Sequence, residues 1–175
     1  MEVIVLSGKS NSGKTTILDK LYTRLKKNKE FSIQFERGTS KENGNLVNDH
    51  RVLFRGKNKD KKDINVVITS QGDNTDELAL NVLFFIESSL RCKENNMKID
   101  YWILSENTGK SSENKGGNKI TGCINKLFEY FKIVRDDTCV VRTTNTKDNK
   151  ENANNNILSQ IIKKLNIEEV NDEVQ

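Results

Sequence analysis

Proline is absent from the 175 residues, so no turn is set by a locked φ, and reversals must rely on Gly, Asn and Asp. The 23 asparagines meet that need, and with the many lysines they read as compositional drift of the source genome. Cysteine is sparse: Cys92, Cys123 and Cys139 are far apart, no C-x-x-C occurs, and His50 is the only histidine. That excludes a disulfide framework and a zinc site, and it gives a reducing, cytoplasmic location as the expectation. No apolar run is long enough to span a bilayer, and the opening lacks the charged start, apolar stretch and cleavage site of a signal peptide. Neither a membrane nor, with a net charge of only +4 and no binding signature, a nucleic acid is an expected partner. The length suits one domain, placed at 1–167, with the acidic tail 168–175 fraying.

The opening fifteen residues carry the chemistry. Residues 3–6 are an unbroken apolar run, short enough for a strand buried on both faces. Gly8-Lys9-Ser10-Asn11-Ser12-Gly13-Lys14-Thr15 then matches G-x-x-x-x-G-K-[ST] at every fixed position. Ile17, Leu18, Leu21, Tyr22 and Leu25 follow at helical spacing, predicting a helix over 14–29 with a basic last turn. Gly8 and Gly13 permit backbone that a Cβ would block, and the loop amides form a nest for phosphate oxygens. The helix start adds unpaired N–H groups and the positive dipole end. Lys14 is expected to project into solvent without ligand and to meet the β- and γ-phosphates, with the Thr15 hydroxyl on Mg²⁺ and Thr16 near the α-phosphate.

On these residues the chain resembles the P-loop NTPase superfamily, and is similar to small bacterial ATP-binding P-loop proteins and compact P-loop kinases. The resemblance covers the first thirty residues and, more weakly, residues 64–73. It implies an α/β protein with the three-layer α/β/α P-loop fold, its sheet mainly parallel with one antiparallel hairpin strand, and the ligand at the carboxyl ends of the strands. Mg²⁺–ATP is the implied nucleoside triphosphate; no N-K-x-D guanine motif is present.

Residues 31–35 alternate at period two and predict a second strand ending in Glu36-Arg37. In several P-loop kinases an acid here deprotonates the acceptor hydroxyl, often beside an arginine; the alternative is an ordinary exposed pair. The polar stretch 39–49 reads as a loop, and 51–55 with 63–69 as a β-hairpin around a lysine-rich tip. The second hairpin strand is expected beside the first strand of the chain. It empties into Ser70-Gln71-Gly72-Asp73, where Asp73 is the candidate for the Mg²⁺ water shell, later than the usual pattern places it. Gln71 and Ser70 are candidates to orient an attacking water or touch the γ-phosphate; otherwise Asp73 and Asn74 cap the next helix. That helix, 75–92, is apolar nearly all round, so it is buried on more than one side or turns its outer face to an oligomer contact, a homodimer being one expectation.

A strand at 101–104 precedes a Gly/Ser/Lys-rich loop whose Lys110, Lys115 and Lys119 occupy the region of a kinase lid. An amphipathic helix at 120–131, a strand at 138–142, a loop where Asn145 or Lys147 is placed to touch the base, and a helix at 154–166 complete the chain. Three functions are open. The first is a kinase-like phosphotransferase acting on a small molecule or nucleotide, with Lys14 and Glu36 catalytic. The second is an NTP-hydrolysing switch acting through a protein partner, because the hairpin before Gln71 and the position of Asn11 resemble translation-type GTPases. The third is a dimeric partitioning-type ATPase, in which a lysine at the Lys9 position reaches across the dimer.

Overall fold

The computed structural model describes residues 1–8, 12–37, 41–42, 45–46, 50–70, 75–107, 126, 129, 135–136 and 147–168. The apolar opening forms β1 (Glu2–Gly8), and the periodic segment after it forms α1 (Lys14–Lys27). Then come β2 (Phe31–Arg37), a small ladder of β3 (Lys41–Glu42) and β4 (Asn45–Leu46), and the hairpin β5 (Arg51–Lys57) and β6 (Asp63–Thr69). The remaining elements are α2 (Thr75–Glu94), β7 (Tyr101–Asn107), β8 (Arg135–Asp136) and α3 (Lys147–Leu165). The expected loop at 39–49 thus contains a ladder, and the last helix starts seven residues earlier than its apolar spacing suggested. The expected strand at 138–142 lies outside the described residues, as does all of the expected helix at 120–131 except Lys126 and Glu129, both helical.

The sheet is mixed, with order β2-β5-β6-β7-β1-β8, which corrects the expectation of a mainly parallel three-layer P-loop fold. Five of the eight described strands, β2 to β6, take part in antiparallel pairs. Parallel pairing joins β6 to β7 and β1 to both β7 and β8. The reason is in the connections. Parallel neighbours need a long crossover, usually a helix; the link from β5 to β6 is a short turn, and the described residues between β2 and β5 are the β3–β4 ladder and His50. The turn between β5 and β6 is tight: the Asn58 amide donates to Lys62 O at 3.0 Å, the Asn58 side-chain oxygen accepts from the Lys62 amide at 3.0 Å, and Lys61 takes φ 59°. A second correction follows from the order: β6 is not beside β1, because β7 is inserted between them.

Helices cover the sheet from both sides. Ile17, Leu18, Leu21 and Leu25 of α1 and Leu158, Ile161, Ile162 and Leu165 of α3 pack with Ile4, Leu6, Phe54, Val66, Ile68 and Ile103. Phe84, Phe85 and Cys92 of α2 pack on the other face with Val3, Val5, Leu53, Val67, Trp102 and Leu104. Each such buried aliphatic or aromatic side chain contributes on the order of 1.5–3 kcal/mol.

β2 breaks the expected alternation. Its register against β5 shifts between Ile33 and Phe35, a bulge that turns the following side chains over. Ile33 therefore joins the α1/α3 core, whereas Phe35 joins the α2 core.

Candidate phosphate-binding site

β1 ends at Gly8 and α1 begins at Lys14, so the loop spans a strand end and a helix start. Gly13 at φ 102° is the residue that reverses the chain into the helix, a backbone that a side chain rarely tolerates. As N-cap of α1, Gly13 supplies no side-chain cap, and the first turn carries no acid. The first turn therefore sets no carboxylate of its own against its leading amides and positive dipole end.

Lys14 is not where it was expected. It is only 6% exposed, and its ammonium folds back across the loop to donate to Gly8 O at 3.0 Å, with Ser12 Oγ at 3.5 Å. An ammonium held over a backbone carbonyl is satisfied, where a buried and unpaired one would be expensive. The charge therefore ties the first glycine of the motif to the helix start. Ser12 is buried, while Thr15 and Thr16 stand exposed in the first turn of α1. Lys9, Ser10 and Asn11 lie outside the described residues.

A residue of the closing helix completes the loop from behind. A Cβ on Gly13 would meet the Asn154 side chain, with Nδ2 at 2.5 Å and Oδ1 at 2.9 Å. Asn154 is buried, and among the described residues its Oδ1 has no hydrogen-bond partner. Sequence reasoning missed its role. The signal was a polar residue on the same stripe as Leu158, Ile161 and Leu165.

Pairing sets Arg37 opposite Arg51, Arg51 opposite Thr69, Thr69 opposite Leu104 and Leu104 opposite Val5, a row that crosses β1 three residues before Gly8. Glu36 is exposed, turned to the α1 side by the bulge. Its carboxylate bonds the Tyr22 hydroxyl. Burial first and Glu36 second push that phenol above its ordinary range, while Lys26 works the other way. Arg37 points to the opposite side, donating to Glu87 Oε2 through Nε at 3.0 Å and NH2 at 2.7 Å. Arg91 donates to the same carboxylate at 3.1 Å. Partial desolvation opposes ionisation of Glu87, but Arg91 and Arg37 prevail and hold its carboxyl below the usual range. The expected Glu36–Arg37 partnership is thus split, with Arg37 committed to α2.

His50, the one histidine, is buried between α1 and the hairpin. Its Nε2 is 2.9 Å from Asp19 Oδ1, and its ring stacks on Tyr22 at 3.9 Å between centroids and 7° between planes. Its amide donates to Ser70 Oγ at 2.6 Å, and its carbonyl accepts from the Ser70 amide at 2.9 Å. Ser105 Oγ in turn donates to Ser70 O at 2.5 Å. Ser70 is therefore buried and hydrogen-bonded to His50 and Ser105. The pattern of the sequence offered no signal for the Asp19–His50 pair beyond the rarity of histidine.

Gln71, Asp73 and Asn145, with Lys110, Lys115 and Lys119, fall outside the described residues. Lys147 is the first residue of α3. Among the described residues no three His, Cys, Asp or Glu side chains gather in a way that holds a metal. The exposed Thr15 hydroxyl suits Mg²⁺ as one ligand, since that ion keeps several waters and takes few protein groups beside substrate phosphates. Among the described residues, no helix is long and apolar enough to cross a membrane.

No family model, curated protein or solved structure matches this chain. Its functional reading rests on its own residues.

Proposed function

We propose that the chain binds a Mg²⁺–nucleoside triphosphate of the ATP class through residues 8–15 and transfers the γ-phosphoryl group to a small molecule or nucleotide. The observation that carries the binding reading is the contact between the two ends of the motif: Lys14 Nζ on Gly8 O, with Gly13 at φ 102° feeding the start of α1. Triphosphate oxygens would take the place of Gly8 O on the ammonium and receive the leading amides of α1. Thr15 would supply one oxygen to Mg²⁺, which neutralises charge on the β- and γ-phosphates.

For transfer, Glu36 is the acceptor's base. It takes the proton of the acceptor hydroxyl as that oxygen bonds to the γ-phosphorus, while the bond to the β–γ bridging oxygen breaks and the diphosphate leaves. The bulge in β2 supports this reading, because it places Glu36 on the side of the sheet where α1 and Lys14 lie. The second reading is an NTP-hydrolysing switch, favoured by the β5–β6 hairpin running directly into Ser70 and residues 71–74. The test is calorimetric titration with ATP and Mg²⁺, followed by ATP turnover with a panel of nucleosides, nucleotides and sugars. Binding with acceptor-stimulated turnover supports the transferase. Binding with slow, acceptor-independent hydrolysis supports the switch, and absence of binding sinks both.

A further inference from the structure

Helix α2 buries one face and exposes an apolar stripe on the opposite one. One holds Asn81, Phe84, Phe85, Ser88 and Cys92, all buried against the sheet side. The other carries Leu83, 61% exposed, and Leu90, 57% exposed, flanked by the exposed Leu80 and Ile86. At about 100° per residue, the centre of this second stripe lies roughly 180° around the helix from the core face. It therefore points straight outward.

The stripe has the spacing of a helix-pairing seam. Asp76, Ala79, Leu83, Ile86, Leu90 and Lys93 follow one another alternately three and four residues apart, the pattern of successive a and d positions. The seam is also complementary to itself when reversed. A two-fold axis between Leu83 and Ile86 sets Leu83 against Ile86, the small Ala79 against the larger Leu90, and Asp76 against Lys93.

We propose that α2 is a homodimer interface, in which two copies pair antiparallel through this seam about that axis. The occupant is a second copy because the register sets small against large and opposite charge against opposite charge, and an isologous contact must be complementary to itself. The ends strengthen the direction of pairing. Acidic Asp76 and Glu77 begin α2, while basic Arg91 and Lys93 close it, so an antiparallel pair opposes unlike charges and a parallel pair like ones. The helix is well placed to serve without disturbing the fold. Arg37 of β2 anchors it through Glu87, and its core face is already filled.

Sedimentation equilibrium of the full chain, without nucleotide, tests it. Wild type is expected to dimerise at concentrations up to roughly 100 µM, since one helix pair makes a small interface. Leu83→Lys puts two like charges beside the axis and should raise the dimer dissociation constant by at least ~100-fold. Asp76→Lys alone should raise it about tenfold by setting lysine against lysine, and the exchange Asp76→Lys with Lys93→Asp should bring it back to within about threefold of wild type. Circular dichroism melts check that each variant is folded; the charge exchange decides the matter should Leu83→Lys fail to fold. A wild type that stays monomeric overturns the proposal and leaves the face to another partner. A Leu83→Lys protein as dimeric as wild type, or an exchange that does not recover pairing, also overturns it.

Discussion

Asn154 sits where a side chain on Gly13 would have to be: a Cβ there would come within 2.5 Å of its Nδ2. The loop and the closing helix are therefore fitted to each other, although the two residues are far apart in sequence. Gly13→Ala meets two separate obstacles, this contact and a φ of 102°. It should destabilise the fold by about 1–3 kcal/mol and weaken nucleotide binding. Asn154→Ala in the same chain should recover only the steric share. Chemical denaturation of the two single variants and the double variant checks this, and strictly additive losses would show that the contact is not felt.

Lys14→Ala should abolish ATP binding in calorimetry, because the loop loses its one described charge facing the phosphates. Since Lys14 also ties Gly8 to the start of α1, the unliganded protein should lose about 1 kcal/mol of stability as well. Equal ATP affinity in variant and wild type would defeat the assignment of the loop.

Thr15→Ala separates metal from phosphate. Its exposed hydroxyl is available to Mg²⁺, so the variant should lose affinity for ATP with Mg²⁺ far more than in EDTA. A loss of the same size in both conditions would point instead to a distorted loop.

Glu36→Gln should leave ATP affinity almost unchanged while reducing acceptor-dependent transfer by ~10²–10⁴-fold, the usual consequence of removing a general base. Full activity in this variant, with sensitivity shifted to Gln71→Ala, would favour the switch. Arg37→Ala serves as a control: its partner is Glu87 on α2, so its effect should be on stability and not on transfer.

Tyr22 gives a pH signature. Its phenol is pushed above the ordinary value by burial and by Glu36, so the folded chain holds the proton more tightly than the unfolded one. The linked stability is fully present below about pH 10 and falls as pH rises through the raised value. Urea midpoints from neutral to alkaline pH should decline for wild type and decline less for Tyr22→Phe. Tyr101, raised chiefly by burial, contributes a separate share that Tyr101→Phe would remove.

Local pattern determined much of this protein. The loop motif, the apolar run before it and the helix after it are readable because each depends on neighbours along the chain. The same holds for the β5–β6 hairpin, whose tight turn leaves only antiparallel pairing, and for the two-sided apolar character of α2. The sequence also placed Glu36 at a strand end, but not on a face, since the bulge between Ile33 and Phe35 is set by the partner strand. Tertiary structure alone decided that β7 separates β6 from β1, and that β2 joins the sheet antiparallel through β5. It also decided that Arg37 turns to Glu87, that His50 bridges Asp19 and Ser70, and that Asn154 closes on Gly13. Periodicity reports which side of an element is apolar. Which elements become neighbours depends on contacts between distant segments, and their energies are fixed only when the whole sheet and its helices close on one another.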